Sequence, residues 1–124
     1  MYNVAIIGAG PAGIFSALEI VKLRPEWKVV LIEKGQRIEK RKCLLREGYA
    51  KCPTCKKCVL LCGWGGAGAF SDGKLNTLVK DTIGRRKEVL SRFVEAGAPA
   101  EILYQQKPHL GTDQLVGIVQ FMRH

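Results

Sequence analysis

The chain has 124 residues, of which 47 % are hydrophobic and 25 % are charged, and its formal net charge is +9. This length predicts one domain, and the apolar fraction is ample for a packed core. No basic residue precedes the first apolar run, Val4 to Leu18, so we expect no secretory signal peptide. Because Pro11 and several glycines interrupt that run and Glu19 closes it, we expect no membrane span, and cytoplasm is the expected compartment.

The first 35 residues predict a strand, a glycine turn, a helix and a second strand. Val4 to Ile7 is a short apolar run, typical of a buried parallel strand. After the glycines, Ile14, Leu18 and Val21 recur at helical spacing, and Lys28 to Ile32 forms a second strand-like run. The predicted fold class is therefore α/β, with a Rossmann-like βαβ unit that starts a doubly wound parallel sheet.

The turn between the first strand and the helix fits the pattern G-x-G-x-x-G at Gly8, Ala9, Gly10, Pro11, Ala12 and Gly13. In this pattern the first glycine permits a tight turn and the second lets backbone approach a pyrophosphate. The third allows close packing of the helix on the strand, and the helix aims its N-terminal amides at the phosphates. Glu33 follows twenty positions later, where a carboxylate accepts hydrogen bonds from a ribose diol. The alternative is a turn that serves only to pack the helix tightly on the strand. The two strands, the helix and Glu33 all occur at the expected spacing, which favours a dinucleotide site.

Residues 36–62 are predicted to be a basic, cysteine-rich insert. Nine Lys or Arg residues lie between Lys34 and Cys58, against only Glu39 and Glu47. Two interpretations explain this run about equally well. The run could be a positively charged cover over an anionic cofactor or substrate, or it could be a solvated loop. A nucleic-acid partner is disfavoured, because only Tyr49 places an aromatic ring among these charges for bases to stack on.

All five cysteines fall within this insert. Four of them have the C-x2-C-x2-C-x3-C spacing of a ferredoxin cluster segment and are candidate metal ligands: Cys52, Cys55, Cys58 and Cys62. The match departs at Gly63, where the ferredoxin pattern has proline, and no second run is present. Zinc fits less well, because structural sites usually pair two ligand knuckles across a longer loop. Plain thiols, an iron–sulfur cluster and zinc remain open, whereas a stable cytosolic disulfide is disfavoured.

Residues 63–76 form a glycine-rich segment, with five glycines in the eleven residues before Lys74. Residues without a Cβ let backbone pass tightly against a flat ligand and offer amides to it. A flexible linker is the alternative. Trp64 and Phe70 favour an ordered, buried loop instead.

Residues 77–124 are predicted to be helical segments. Arg85 to Ala96 is amphipathic, and Gly97 is a fitting C-terminal stop. Thr112 can cap a last helix that continues to His124 without a stop signal, so the chain reads as a truncated front part of a longer enzyme. Ile102 to Tyr104 predicts a short strand. His109 is a candidate acid or base. A histidine beside a proline is, however, more often an exposed loop residue without a catalytic role.

Three segments resemble known flavoproteins. GAGPAG followed by LIEKG resembles the N-terminus of the glutathione-reductase-like FAD superfamily. CGWGGAGAFSDGKLN, with KPHLGTDQL further along, resembles a poorly characterised group of bacterial and archaeal NAD(P)/FAD-dependent oxidoreductases. The resemblance spans essentially the whole chain, and members of the group are much longer. Spacing alone does not separate FAD from NAD, so the preference for FAD comes from this resemblance.

The resemblance implies an FAD-dependent dehydrogenase that transfers hydride or electrons to an unknown substrate, with NAD(P) as a candidate co-substrate. It implies that Glu33 holds the adenosine ribose and that Lys34 lies near the adenine. The residues that would border the isoalloxazine or the pyrophosphate are Gly66, Gly68, Ala69, Phe70 and Ser71. Loop amides or Lys74 would stabilise negative charge that develops on the flavin. The alternatives are an electron-transfer protein with FAD and an iron–sulfur cluster, and a non-enzymatic basic cysteine-cluster module.

Overall fold

A computed structural model describes residues 1–43, 47–48, 51–52, 56–75, 80–105 and 108–123. These residues form two strands and three α-helices, in the order β1 (Val4–Ile7), α1 (Pro11–Leu23), β2 (Val29–Ile32), α2 (Arg85–Glu95) and α3 (Thr112–Phe121). Short 3₁₀ helices lie at Ile38–Lys40, Ala67–Phe70 and Ala100–Leu103. The α/β class and the β–α–β order of the first 35 residues agree with the sequence prediction.

The chain divides into two compact units, Met1–Gly68 and Ala69–His124. The first unit contains the βαβ segment and the basic insert, and the second contains α2 and α3. The boundary falls inside the glycine-rich segment 63–76, so the residues of that segment belong to both units.

In the first unit, β1 and β2 pair in parallel with Val4 opposite Val29 and Ile7 opposite Ile32. Burial alternates along β1, because the face that carries Ile6 packs towards α1 whereas the side chains of the other face are exposed. Ile7 is accordingly 78 % exposed at the end of the strand. The carboxyl ends of both strands therefore lie at one edge of the sheet, where each leads into a predicted site segment.

Helix α1 begins directly after the glycine turn. Pro11 occupies its first position, where the missing N–H costs nothing and the fixed φ suits a helix. Gly10 precedes it at the N-cap with extended backbone and no side-chain capping hydrogen bond. The N-terminal end of α1 therefore lies directly beside the turn that the sequence pattern predicts to bind a ligand.

The second unit has its own core. Its buried residues are Leu90, Ala98, Ile102, Leu110, Leu115 and Ile118. Helix α2 ends in a Schellman motif, in which Gly97 has φ +100° and the Ala98 N–H donates to the Phe93 carbonyl at 2.8 Å. The predicted stop at Gly97 is thus confirmed.

Two local predictions in the second unit are wrong. Ile102 to Tyr104 is not a strand: the Ile102 N–H donates to the Pro99 carbonyl at 3.3 Å, a local bond that closes a 3₁₀ turn and buries Ile102 in the core. Thr112 is the first residue of α3 rather than its cap, and its hydroxyl donates to the Ser71 carbonyl at 3.4 Å. Within the part of the chain that the structure describes, no helix is long and apolar enough to cross a membrane.

Candidate functional site

The glycine turn after β1 has two positions that the fold reserves for glycine. Gly8 has φ +99°, a backbone conformation that other residues rarely adopt. A Cβ at Gly13 would collide with the Gly8 carbonyl oxygen, so only glycine lets α1 pack this closely on the turn. These are the roles that the sequence pattern predicts for its first and third glycines.

Gly10 differs from both. Its φ of −76° and ψ of −179° are open to any residue. A Cβ at this position would meet, among the described residues, only the Gly66 Cα at 4.0 Å, an ordinary contact. In the described chain, neither backbone strain nor packing therefore requires glycine at this position. The space next to Gly10 is open.

The N-terminal end of α1 faces the same turn. Gly10 has no side chain to cap the helix, and no side-chain capping hydrogen bond forms there among the described residues, so the first-turn amides are available to another acceptor. Pro11 and Ala12 are exposed. Partial positive charge at such a helix end favours anions, and phosphate is the usual one.

Glu33, directly after β2, reaches the glycine turn. One carboxylate oxygen accepts from the Ala9 N–H and the other from the Gly35 N–H, both at 2.8 Å. Each carboxylate oxygen can accept two hydrogen bonds, so the half-buried group keeps acceptor capacity for a ligand hydroxyl.

The ionisation of Glu33 follows from these contacts. Burial raises the pKa of this carboxyl, but hydrogen bonds from the Ala9, Gly35 and Gly63 amides and the positive charge of Arg41 outweigh burial. The pKa of Glu33 therefore lies below its ordinary value, and the group is anionic at neutral pH.

The glycine-rich segment packs on this turn within the first unit. The Gly65 N–H donates to the Ala9 carbonyl at 2.7 Å. A Cβ at Gly66 would lie 3.0 Å from the Gly10 Cα and 3.1 Å from the Pro11 Cδ, and Gly66 has φ +65°. The Gly66 backbone therefore lies close to Gly10 and Pro11. The close approach of this segment to a flat ligand stays a prediction.

A buried arginine that the sequence analysis missed holds this segment. Arg41 is only 3 % exposed, the one buried charged side chain in the described ranges. Its guanidinium donates to five carbonyl oxygens, of Val59 (2.8 Å), Leu60 (2.9 Å), Gly63 (3.4 Å), Trp64 (2.7 Å) and Gly66 (2.8 Å). Burial lowers the pKa of Arg41, and the Glu33 carboxylate opposes that effect. The insert thus contributes a structural cation as well as exposed charge.

The other predicted cofactor residues are distributed over both units. Lys34 and Gly68 are exposed residues of the first unit. The second unit contains buried Ala69, half-buried Phe70 and exposed Ser71 and Lys74. Of the predicted residues, Gly8 to Gly13, Glu33 and Gly66 are the ones that contacts bring together.

Two segments that carry the family resemblance pair within the second unit. The Leu75 N–H donates to the Pro108 carbonyl at 2.9 Å, and the Leu110 N–H donates to the Gly73 carbonyl at 2.8 Å. This antiparallel pairing sets Lys74 opposite His109. Lys74 forms an exposed ion pair with Asp72 at 2.9 Å, and His109 is also exposed.

The predicted metal ligands are described only in part, since Cys55 lies outside the described residues. Cys52 is exposed, and half-buried Cys58 and Cys62 share one turn in which the Cys62 N–H donates to the Cys58 carbonyl at 2.8 Å. Among the described residues, no three or more His, Cys, Asp or Glu side chains are grouped so that they could hold a metal ion. Metal binding by these cysteines stays a prediction.

A cavity of about 580 Å³ lies along α2 in the second unit. Its lining is Leu75, Lys80, Asp81, Thr82, Ile83, Arg85, Arg86, Val89, Leu90 and Phe93. None of the predicted site residues is in this lining.

No family model matches the chain. The chain is 42 % identical over 118 residues to an uncharacterized protein of Clostridium beijerinckii. That alignment covers 95 % of this chain and 21 % of the relative, so the chain spans about a fifth of the relative's length.

Proposed function

We propose that this chain binds FAD and forms the N-terminal part of a flavin-dependent oxidoreductase with a Rossmann-like cofactor domain. The observation that supports the proposal best is the meeting of Glu33 with the glycine turn, at the edge where β1 and β2 end. A dinucleotide needs two features at such an edge, a place for its pyrophosphate and acceptors for its ribose.

The pyrophosphate would lie at the turn and at the N-terminal end of α1. Gly10 leaves room there that the described residues do not fill, and the amides of the first helical turn point towards it. Backbone amides bind phosphate oxygens without a cation, so the turn needs no basic side chain of its own.

The adenosine ribose would donate its hydroxyls to Glu33. The lowered pKa keeps this carboxylate ionised, and charge-assisted hydrogen bonds to an anionic acceptor are stronger than neutral ones. The residues present therefore fit an ADP-containing cofactor. FAD is preferred over NAD because of the family resemblance of the sequence.

The further assignments rest on the same resemblance. Lys34 would lie near the adenine, and Gly66, Gly68, Ala69, Phe70 and Ser71 would border the pyrophosphate or the isoalloxazine. Bound flavin would supply hydride or electron transfer, and Lys74 or nearby amides would offset negative charge on it. NAD(P) is a proposed co-substrate of the whole protein.

Flavin content tests the proposal. The full-length protein should contain tightly bound FAD, identified after denaturation and chromatography against authentic FAD and FMN. The matched control is Gly117→Ala, a substitution in open space on α3, which should retain the same flavin content. Absence of FAD together with failure to bind added FAD would reject the proposal.

An electron-transfer protein with both FAD and an iron–sulfur cluster is the second candidate. The cysteine spacing favours it, as does the position of half-buried Cys58 and Cys62 near the buried Arg41 charge, which would offset an anionic cluster. Iron and acid-labile sulfide per flavin in anaerobic preparations decide this point. Stoichiometric values favour the cluster, and values near zero reject it.

A further inference from the structure

We propose that Arg41 is a positioning residue of the dinucleotide site, fixing the glycine-rich segment 63–66 against the turn at Gly8–Gly13. This inference rests on the proposed function for the identity of the ligand. Hydrogen exchange at the turn tests the role of Arg41 there without any cofactor.

The first support is the cost of burying this charge. A guanidinium at 3 % exposure gives up its hydration, so its donors need acceptors within the protein. Carbonyl oxygens supply them from two short stretches, Val59–Leu60 and Gly63–Gly66. Because one planar group binds both stretches, their backbones cannot shift independently.

The second support is what those stretches touch. The Gly66 carbonyl that binds Arg41 belongs to the residue whose Cα lies next to Gly10. The adjacent Gly65 N–H donates to the Ala9 carbonyl at 2.7 Å, and the Gly63 amide contributes to the lowered pKa of Glu33. Arg41 therefore acts on the pyrophosphate side and on the ribose side through the same segment.

The third support is that lysine, which carries the same charge, lacks the required shape. Lysine keeps the positive charge but presents a single ammonium with three donors, which cannot reach carbonyls arranged around a planar fork. A side chain as buried as Arg41 does not contact a ligand at the turn directly. Its effect on binding must pass through the backbone of residues 63–66.

The binding test uses Arg41→Lys and Arg41→Ala in the full-length protein, with FAD added to the cofactor-free form. We expect both variants to lose FAD affinity by about tenfold or more. The control Arg37→Ala removes an exposed positive charge from the same basic run and should bind within about twofold of the unaltered protein, since salt and solvent screen exposed charges.

Chemical rescue separates positioning from general loss of stability. Millimolar methylguanidinium should restore FAD affinity to Arg41→Ala, because it can occupy the vacated carbonyl cage, and should leave Arg37→Ala unchanged. A protein that had only lost stability would gain no affinity, because guanidinium salts alter the unfolding equilibrium only at molar concentrations. If Arg41→Ala does not fold, the FAD affinity of Arg41→Lys, measured without methylguanidinium, decides whether Arg41 affects binding.

Backbone hydrogen exchange gives a readout that needs no cofactor. Exchange at the Gly65 amide should speed up in Arg41→Lys, while amides of α2 in the second unit keep their rates. Unchanged exchange at Gly65, or unaltered FAD affinity in both Arg41 variants, would overturn the inference. If the unaltered protein bound no FAD, the cofactor proposal would fail, and exchange at Gly65 would still decide whether Arg41 holds the turn.

Discussion

The Glu33 carboxylate accepts a hydrogen bond from the Ala9 backbone N–H at 2.8 Å, although the two residues lie 24 positions apart in the chain. They meet because β1 and β2 are parallel neighbours, so the residues that follow both strands emerge at one edge of the sheet. A single carboxylate therefore fixes the glycine turn and keeps acceptors for a ligand.

Replacing Glu33 by glutamine should weaken FAD binding by about 1–3 kcal/mol. The amide that replaces one oxygen would face a backbone N–H, so one of the donors from Ala9 and Gly35 would lose its acceptor. Titration of the cofactor-free protein with FAD measures the loss. Glu26→Gln, at an exposed position before β2, is the control and should bind normally; equal affinities in both variants would contradict the assignment.

The contribution of Glu33 to stability should depend on pH. Because the folded-state pKa lies below the ordinary value of 4.5, the contribution is fully present above that value. It is lost as the pH falls through the lowered pKa and the carboxylate takes up a proton. Unfolding of the unaltered protein and of Glu33→Gln should therefore differ at neutral pH and converge in acid, whereas a constant difference would count against this account.

The same substitution should have opposite effects in two helices. In Gly13→Ala the new Cβ collides with the Gly8 carbonyl oxygen, so we expect a loss of about 1–3 kcal/mol in unfolding free energy. Gly117→Ala places its Cβ in open space within α3 and should gain about 0.5–1 kcal/mol from the lower helix propensity of glycine. Thermal melting of both variants measures the two signs, and a stabilised Gly13→Ala would show that α1 does not pack on the turn as described.

Gly10→Ala should separate folding from binding. A Cβ here makes only an ordinary contact with Gly66, and the backbone conformation suits alanine, so stability should change by less than about 0.5 kcal/mol. FAD affinity should nevertheless fall by about tenfold or more, because the methyl group occupies the closest approach to the pyrophosphate. Normal FAD affinity in this variant would mean that the glycine serves something other than a phosphate.

The βαβ segment was predictable because its signals are local. Apolar runs of four residues mark β1 and β2, and Pro11 after a glycine turn marks the start of α1. The sequence also indicates Glu33, since its distance from Gly13 is fixed by the length of one helix and one strand.

The buried position of Arg41 was not predictable. It lies in a run of basic residues in which a solvated loop is the ordinary expectation, and its partners are backbone carbonyls, which every residue offers. The 3₁₀ turn at Ala100–Leu103 was missed for a related reason. Three apolar or aromatic residues in a row predict a strand. Whether Ile102 pairs with another strand or packs into a core depends on the residues around it, and here the core of the second unit buries it.

The flavin content of the full-length protein tests the central proposal most directly. Protein purified without added cofactor, or cofactor-free protein titrated with FAD, is scored by its absorption spectrum and by the flavin released on denaturation. We expect one FAD per chain in the unaltered protein and markedly less in Gly10→Ala, with both proteins folded. A folded, unaltered protein that neither retains nor takes up FAD would contradict the proposal.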